Sequence, residues 1–584
     1  MDKEFIYKPV DEYKEYARLH HENISQYFDE LTKTANTDVG ANELTVKKIR
    51  TLEKENDGIH KQQSRYQMLK VFLWILVAIA IFVFFYAIYL TASDAAVETV
   101  SLVLMFIISA IVIVGGLLLI YKVIKPKYLV LEAKSQELER EISNQYKVAY
   151  QQMGSLNALF KVEVIAELFE KTIPLLDFDK MFSQKTLEFL KTTFGFDDST
   201  SEEQSTLYVQ SGHLNGNPFA LFKNLYHVLG TKTYVGTKTI SWTETIGSGK
   251  DRRTVTRTQT LTATLEKPCP YYSEQTHLVF ASEVAPDLTF YRKQGYTHRL
   301  TPKQVERKVR SDMEDFREDT EDNFSKSITL LANDEFEVLF RALNRNNEVQ
   351  FRLLFTPLAQ QNMIDLLLDK TEGFGDDFAF AKKNKLNFIS PDHMQGFKLD
   401  ITPKHFVDYD YNRCKQNWIN YNMEYFRKMY FTFAPILCIP LYQQHTPHEY
   451  VYRDVVESYS SFFEDEMIVN NLGYAKFSHP DSKTRNILKT KLVNINGKVE
   501  DIQVTAYGYN VEKRVTYIPK TGGDGRVHQV PVHWDEYLPV VQTTDIVMDF
   551  FDDLDKIQEM MRNQDFQGVL DRNMCLVKFR GKEE

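Results

Sequence analysis

The chain has 584 residues, with 70 Lys or Arg against 80 Asp or Glu and a net charge of −10, and no extended basic block outside the lysines beside its two apolar runs. Nucleic acid is therefore not an expected partner. The four cysteines, Cys269, Cys414, Cys438 and Cys575, are scattered with no CxxC pair, which argues against a disulfide framework or a cysteine-rich zinc site and suits a reducing compartment, while 40 Phe and 32 Tyr mark a chain that packs.

The first segment carries Tyr13, Tyr16, Leu19, Ile24, Tyr27, Phe28 and Leu31 at helical spacing, up to a break at Thr37–Asn42. Ile49, Leu52, Ile59 and Tyr66 then continue a 3-4 stripe, in which polar Asn56 and Gln63 fill two steps. Two runs follow, Val71–Leu90 and Ser101–Tyr121, without a single Asp, Glu, Lys, Arg or His. As helices each reaches about 30 Å, the thickness of a bilayer core. Lys61, Arg65 and Lys70 precede the first run and Lys122, Lys125 and Lys127 follow the second, whereas the connection Thr91–Val100 holds Asp94 and Glu98 and no cation. Positive charge stays on the cytoplasmic side, so a transmembrane hairpin with both termini cytoplasmic is expected. The runs offer only Ser109, Tyr86 and Gly115-Gly116 as features and no GxxxG, which reads as an anchor rather than a conduction path. Leu131, Leu138, Ile142, Ala149, Met153 and Leu156, with Ser135 in one polar step, return a second stripe that predicts an antiparallel, coiled-coil-like stalk.

Beyond the stalk, Val162–Phe194 reads as helices and Asp197–Glu203 as an exposed linker. From Leu207 the period changes to two. Thr254, Thr256, Thr258, Thr260, Thr262 and Thr264 alternate with Val255, Arg257, Gln259, Leu261, Ala263 and Leu265, so the threonines share one face of a strand, joined to the preceding run by a turn at Gly247–Asp251. That turn is not a phosphate loop, because Glu244 and Asp251 stand where glycine and Ser or Thr are required. A charged helix at Thr301–Ser325, a second at Asn333–Asn344, a strand at Glu348–Phe355 and a helix at Pro357–Asp369 follow. An amphipathic helix is expected over Pro403–Thr432, and a buried strand pair over Met429–Tyr442, where Pro435 and Pro440 interrupt an apolar run too short to span. Strands are expected at Ile487–Val493, Val499–Ala506, Lys513–Ile518, Val527–Val532 and Leu538–Gln542, with turns at Asn496-Gly497 and Gly522–Gly525, and a closing helix at Leu554–Arg562. The string Ala332–Phe340, with Val349–Pro357 and the leucine-rich helix to Lys370, resembles a segment found in a family of uncharacterised bacterial two-span membrane proteins, over roughly Ile328–Ile389. The resemblance implies a bacterial origin and spans upstream of a soluble domain, with no activity to carry over.

The expected fold class is α+β: a two-helix transmembrane hairpin, a helical coiled-coil-like stalk and a large mixed α+β cytoplasmic region. The units are residues 1–70, 71–121, 122–160, 161–400 and 401–584. The densest metal-like constellation is His445, His448 and Glu449. Its spacing of three, its intervening Pro447 and the glutamate after the second histidine do not match a helical zinc site. His528 and His533, five apart, point to opposite faces of a strand. No catalytic motif stands out, and neither a catalytic residue nor a cofactor is assigned. The expected partners are the lipid bilayer and a protein partner or a second copy of the chain. The expected role is a scaffold, tether or sensor at the bacterial inner membrane, with a tethered enzyme or an oligomeric channel subunit as rivals.

Overall fold

The computed structural model describes residues 5–92, 99–199, 201–247, 252–322, 330–445, 459–550 and 575–580. In chain order the elements are α1 (Pro9–Thr34), α2 (Val39–Ala92), α3 (Thr99–Leu118), a π-helical turn (Leu119–Ile124), α4 (Lys125–Asn157), α5 (Glu163–Thr172), β1 (Leu176–Phe178), α6 (Gln184–Phe194), β2 (Gln204–Leu214), β3 (Asn217–Ile246), β4 (Arg253–Ala281) and β5 (Thr289–Arg292). Then come α7 (Pro302–Asp322), α8 (Asp334–Phe340), α9 (Glu348–Leu354), α10 (Pro357–Leu368), β6 (Phe378–Lys383), β7 (Leu386–Pro391), α11 (Tyr411–Leu437), α12 (Phe462–Leu472), β8 (Ile487–Asn496), β9 (Val499–Thr521), β10 (Val527–Phe550) and β11 (Cys575–Phe579). The chain divides into a helical unit, Ser25–Phe160 with Lys404–Asn420, and a mixed unit comprising Met1–Ile24, Lys161–Pro403 and Tyr421–Glu584.

In the helical unit, α2 runs unbroken for 54 residues, about 80 Å. The returning arm lies antiparallel to it in one register. Phe84 meets Phe106 edge-on at 5.3 Å, Gly116 lies against Val77, Lys134 pairs with Glu55 at 2.8 Å and Lys48 with Glu141 at 2.7 Å. The stripe positions Ile49, Ile59, Ala149, Met153 and Leu156 are buried, as their spacing predicts. The two polar steps Asn56 and Ser135 are buried as well and answer each other, the Ser135 hydroxyl donating to Asn56 Oδ1 at 2.8 Å. Both α2 and the α3–α4 arm contain a segment long and apolar enough to cross a membrane. Phe82 is 73% exposed, and Ile75, Ile79, Phe85, Ile108 and Ile111 are also bare. The π-helical turn falls where the apolar run gives way to lysines, and there Lys125 N donates to Ile120 O, five residues back. Pro126 explains it: with no N–H to offer Lys122 O and a ring that crowds that carbonyl, it disfavours the ordinary helical turn.

The mixed unit holds two antiparallel sheets, of order β1-β2-β3-β4-β7-β6-β5 and β11-β10-β9-β8. Under the first sheet, Phe433 of α11 meets Phe219 of β3 at 4.8 Å and Phe426 meets Phe169 of α5 at 5.1 Å. Strands β3 and β4 pair without a slip from Phe219↔Phe280 to Ile246↔Arg253, yet β2 accompanies β3 only as far as Tyr226. The remainder is a two-stranded ribbon, which alone is marginal in water. A second ribbon, β9 with β10, stabilises it: Tyr234, Ile240, Leu261 and Ala263 pack against Val530, Val532, Ile518 and Trp534. Gly236 sits where the backbones meet, since a Cβ there would lie 2.1 Å from Pro531 O. The six alternating threonines of β4 all face solvent, five of them opposite Thr237, Thr239, Ser241, Thr243 and Thr245 of β3 and Thr264 opposite Val235.

Several expectations are corrected. The strand expected over Glu348–Phe355 is instead helical over Glu348–Leu354: Asn347 caps it by accepting from Gln350 N, and Phe351 and the following Phe355 pack against Phe336, Phe340 and Phe290. Met429–Tyr442 is no strand pair but the last turns of α11, with Pro435 inside the helix, followed by a 3-10 turn. An apolar run buried on every side has no period to separate the two forms. Helix α11 begins at Tyr411 rather than Pro403, and α8 stops at Phe340. The four short strands expected between Val499 and Gln542 are two continuous ones. The expected closing helix Leu554–Arg562 lies outside the described residues.

Candidate functional site

Strand β5 is the edge of its sheet, and its outer backbone is answered by side chains rather than by another strand. Asn344 Oδ1 accepts from Tyr291 N at 2.9 Å and Asn346 Oδ1 from Thr289 N at 2.7 Å. This arrangement blunts an edge that would otherwise invite pairing. Alternation along β5 turns Arg292 inward, where its guanidinium lies 4.6 Å from the Phe378 ring and donates to Phe378 O at 2.6 Å and to Asp376. Burial pulls the Arg292 pKa down, and the Asp376 carboxylate opposes it. Asp376 also accepts from the Thr297 hydroxyl and backbone, which fastens the loop after β5. Behind α8, buried Arg345 grips Glu337 through both terminal nitrogens at 2.8 Å and Glu348 through Nε at 2.7 Å.

These anchors hold the walls of an open cleft of about 730 Å³ between β5, its following loop, α7 and α8. Among the described residues Arg292, Lys293, Lys308 and Arg341 line it against a single carboxylate, Asp376, with Tyr291, Tyr296 and Asn344 between them. Lys308 is paired with Asp312 at 2.6 Å, whereas among the described residues Lys293 and Arg341 meet no carboxylate. Arg341 caps α8 in the left-handed conformation, φ +54°, a position that glycine or asparagine ordinarily takes.

A second constellation is sealed in the core. Glu464, Asp465 and Glu466 open α12 and are all buried. Glu464 accepts from Phe182 N at 2.9 Å and Glu466 from Thr206 N at 2.8 Å, each tying α12 to another segment. Asp465 and Glu500 converge on the Ser460 hydroxyl. That hydroxyl has one hydrogen, so one of the two carboxyls must itself carry a proton, and burial raises both pKa values in accord. A third group, Asp377, His393 and Thr432, has the outline of a proton relay, with 2.8 Å from Asp377 to His393 Nδ1 and 3.2 Å from Nε2 to the Thr432 oxygen. Thr432 is fully buried and its hydroxyl donates to Lys428 O at 2.9 Å, so the trio pins α11 to the turn after β7 and presents no nucleophile.

The residues singled out from sequence do not gather. His445 is exposed, with Nδ1 3.3 Å from Asn215 Oδ1, while His448 and Glu449 lie outside the described residues. His528 binds Asp524 in the ribbon turn at 2.9 Å, and His533 is exposed on β10. Among the described residues no group of three or more His, Cys, Asp or Glu side chains is placed to hold a metal. The cleft was invisible to motif reading because Arg292 and Asp376 stand 84 residues apart. The usable signals were the asparagines around Arg345 and the paired aspartates after Gly375. No family model, curated protein or solved structure matches the chain.

Proposed function

We propose that the protein is a scaffold, tether or sensor of the bacterial inner membrane, anchored by a hairpin with both termini in the cytoplasm and acting through contact with a protein partner or a second copy of itself. The observation that carries this reading is the paired helices whose large apolar side chains stay bare over the same stretch that lacks every charged residue. Such a surface is far larger than a water-soluble monomer tolerates. The lysines at Lys61, Lys70, Lys122, Lys125 and Lys127 support the cytoplasmic assignment of that end. The test is labelling of intact cells with a membrane-impermeant maleimide. Asp94→Cys should react from outside and Lys54→Cys only after lysis; the reverse pattern, or release of the protein by alkaline carbonate, refutes the anchor. Turnover of a nucleotide, lipid or peptide by the purified protein would favour the tethered-enzyme alternative instead.

A further inference from the structure

We propose that the cleft between β5, α7 and α8 binds a phosphate-bearing small molecule. Four cations from three elements and a helix cap line it in a chain whose net charge is −10, and the one carboxylate lining it among the described residues is already engaged by Arg292 and Thr297. Among the described residues the charge left over sits on Lys293 and Arg341, with Lys308 shared with Asp312. An anion bearing more than one negative charge, with several acceptor oxygens, satisfies that set; a lone carboxylate does not. Tyr291, Tyr296 and Asn344 add hydroxyl and amide groups for the remainder of the ligand, and about 730 Å³ suits a molecule of nucleotide size. The backbone of Arg341 supplies an independent sign. A left-handed cap at φ +54° favours glycine, so an arginine there is held against local preference, and its guanidinium lies over the Phe316 ring of α7 at 5.8 Å.

This inference does not depend on the membrane reading. The full chain, in nanodiscs of uncharged lipid at low salt, is titrated calorimetrically with inorganic pyrophosphate. Saturable binding is expected, weakened about tenfold or more in Arg341→Gly and in Lys293→Gln, since each loses a charged hydrogen-bond donor. Arg341→Gly relieves the backbone conformation and Lys293 is exposed, so both variants should fold, which a melting curve checks. Absence of saturable heat at millimolar pyrophosphate, binding unchanged in both variants, or equal binding of acetate overturns the proposal. Displacement of bound pyrophosphate by ATP but not by inositol trisphosphate assigns the phosphate to a soluble nucleotide; the opposite result assigns it to a lipid headgroup.

Discussion

Two long hairpins, one of helices and one of strands, are stabilised on opposite terms. In the helical unit α2 and its returning arm satisfy their backbone hydrogen bonds internally, so the contact between them is a matter of side chains, ending in pairs such as Phe84 with Phe106 and Lys48 with Glu141. In the mixed unit β3 and β4 bond chiefly to each other, and beyond Tyr226 the ribbon depends on backbone-close packing against β9 and β10. Each hairpin has a glycine where a neighbour comes close. At Gly116 the obstacle to a Cβ is Val77 Cγ2 at 2.6 Å, a side-chain methyl; at Gly236 it is a carbonyl oxygen at 2.1 Å. A methyl group can rotate or shift, whereas a carbonyl bound into a strand moves only with its strand.

The largest expected effect follows from that difference. Gly236→Ala should cost about 3 kcal/mol or more by forcing the ribbons apart, while Gly116→Ala costs about 1 kcal/mol or less. Urea unfolding of the full chain in detergent, followed by Trp534 and Trp242 fluorescence for the ribbons and by helical circular dichroism for the hairpin, reads both. Equal losses would remove the distinction between the two hairpins.

The same contrast explains what could be read in advance. The paired helices were legible because charge exclusion over twenty residues and a 3-4 stripe are local signals, and even the polar interruptions Asn56 and Ser135 lay at the correct steps. The ribbon was legible in its threonine alternation, for the same reason, while its expected turn at Gly247–Asp251 lies outside the described residues but for Gly247. What escaped was anything set by partners distant in sequence. Phe351 lies in a helix, with Phe355 at its cap, because Phe290 and Phe340 await them, the four strands fuse into two because the β3–β4 ribbon supports the middle, and the cleft exists because Asp376 reaches back to Arg292.

Charge burial offers a second contrast. The ion pairs across α2 and α4 are exposed, and such pairs contribute little. Lys382 in β6 is buried with no carboxylate beside it among the described residues, its Nζ donating to Val284 O at 3.1 Å, and burial lowers its pKa to about 7. Between pH 7 and the ordinary lysine value the unfolded chain binds the proton and the folded one does not, so stability rises with pH across that window and the whole cost is present below it. Lys382→Met should therefore stabilise the mixed unit by about 2 kcal/mol below pH 7, with the gain fading toward pH 10. A gain independent of pH would mean that packing, not charge, is responsible.

The smallest expected effect concerns the buried polar pair Asn56 and Ser135 between α2 and α4. Ser135→Ala leaves Asn56 Oδ1 without its donor in a buried position and should cost about 1 kcal/mol. Replacing both, with Asn56→Leu, should recover that loss or exceed it, because an apolar pair needs no partner at all. The gain would come at the expense of register, since Leu at that step packs equally well one turn away, whereas the Asn56–Ser135 bond is made in one alignment only. Disulfide trapping reports this directly. With Lys48→Cys and Glu141→Cys in the parent, oxidation should close that pair and leave Lys48→Cys with Gln145→Cys, one turn along α4, largely open. In the double variant both pairs should close. If only the original pair closes, register is held by the larger apolar contacts and by Gly116 against Val77, and the buried polar bond is incidental to it.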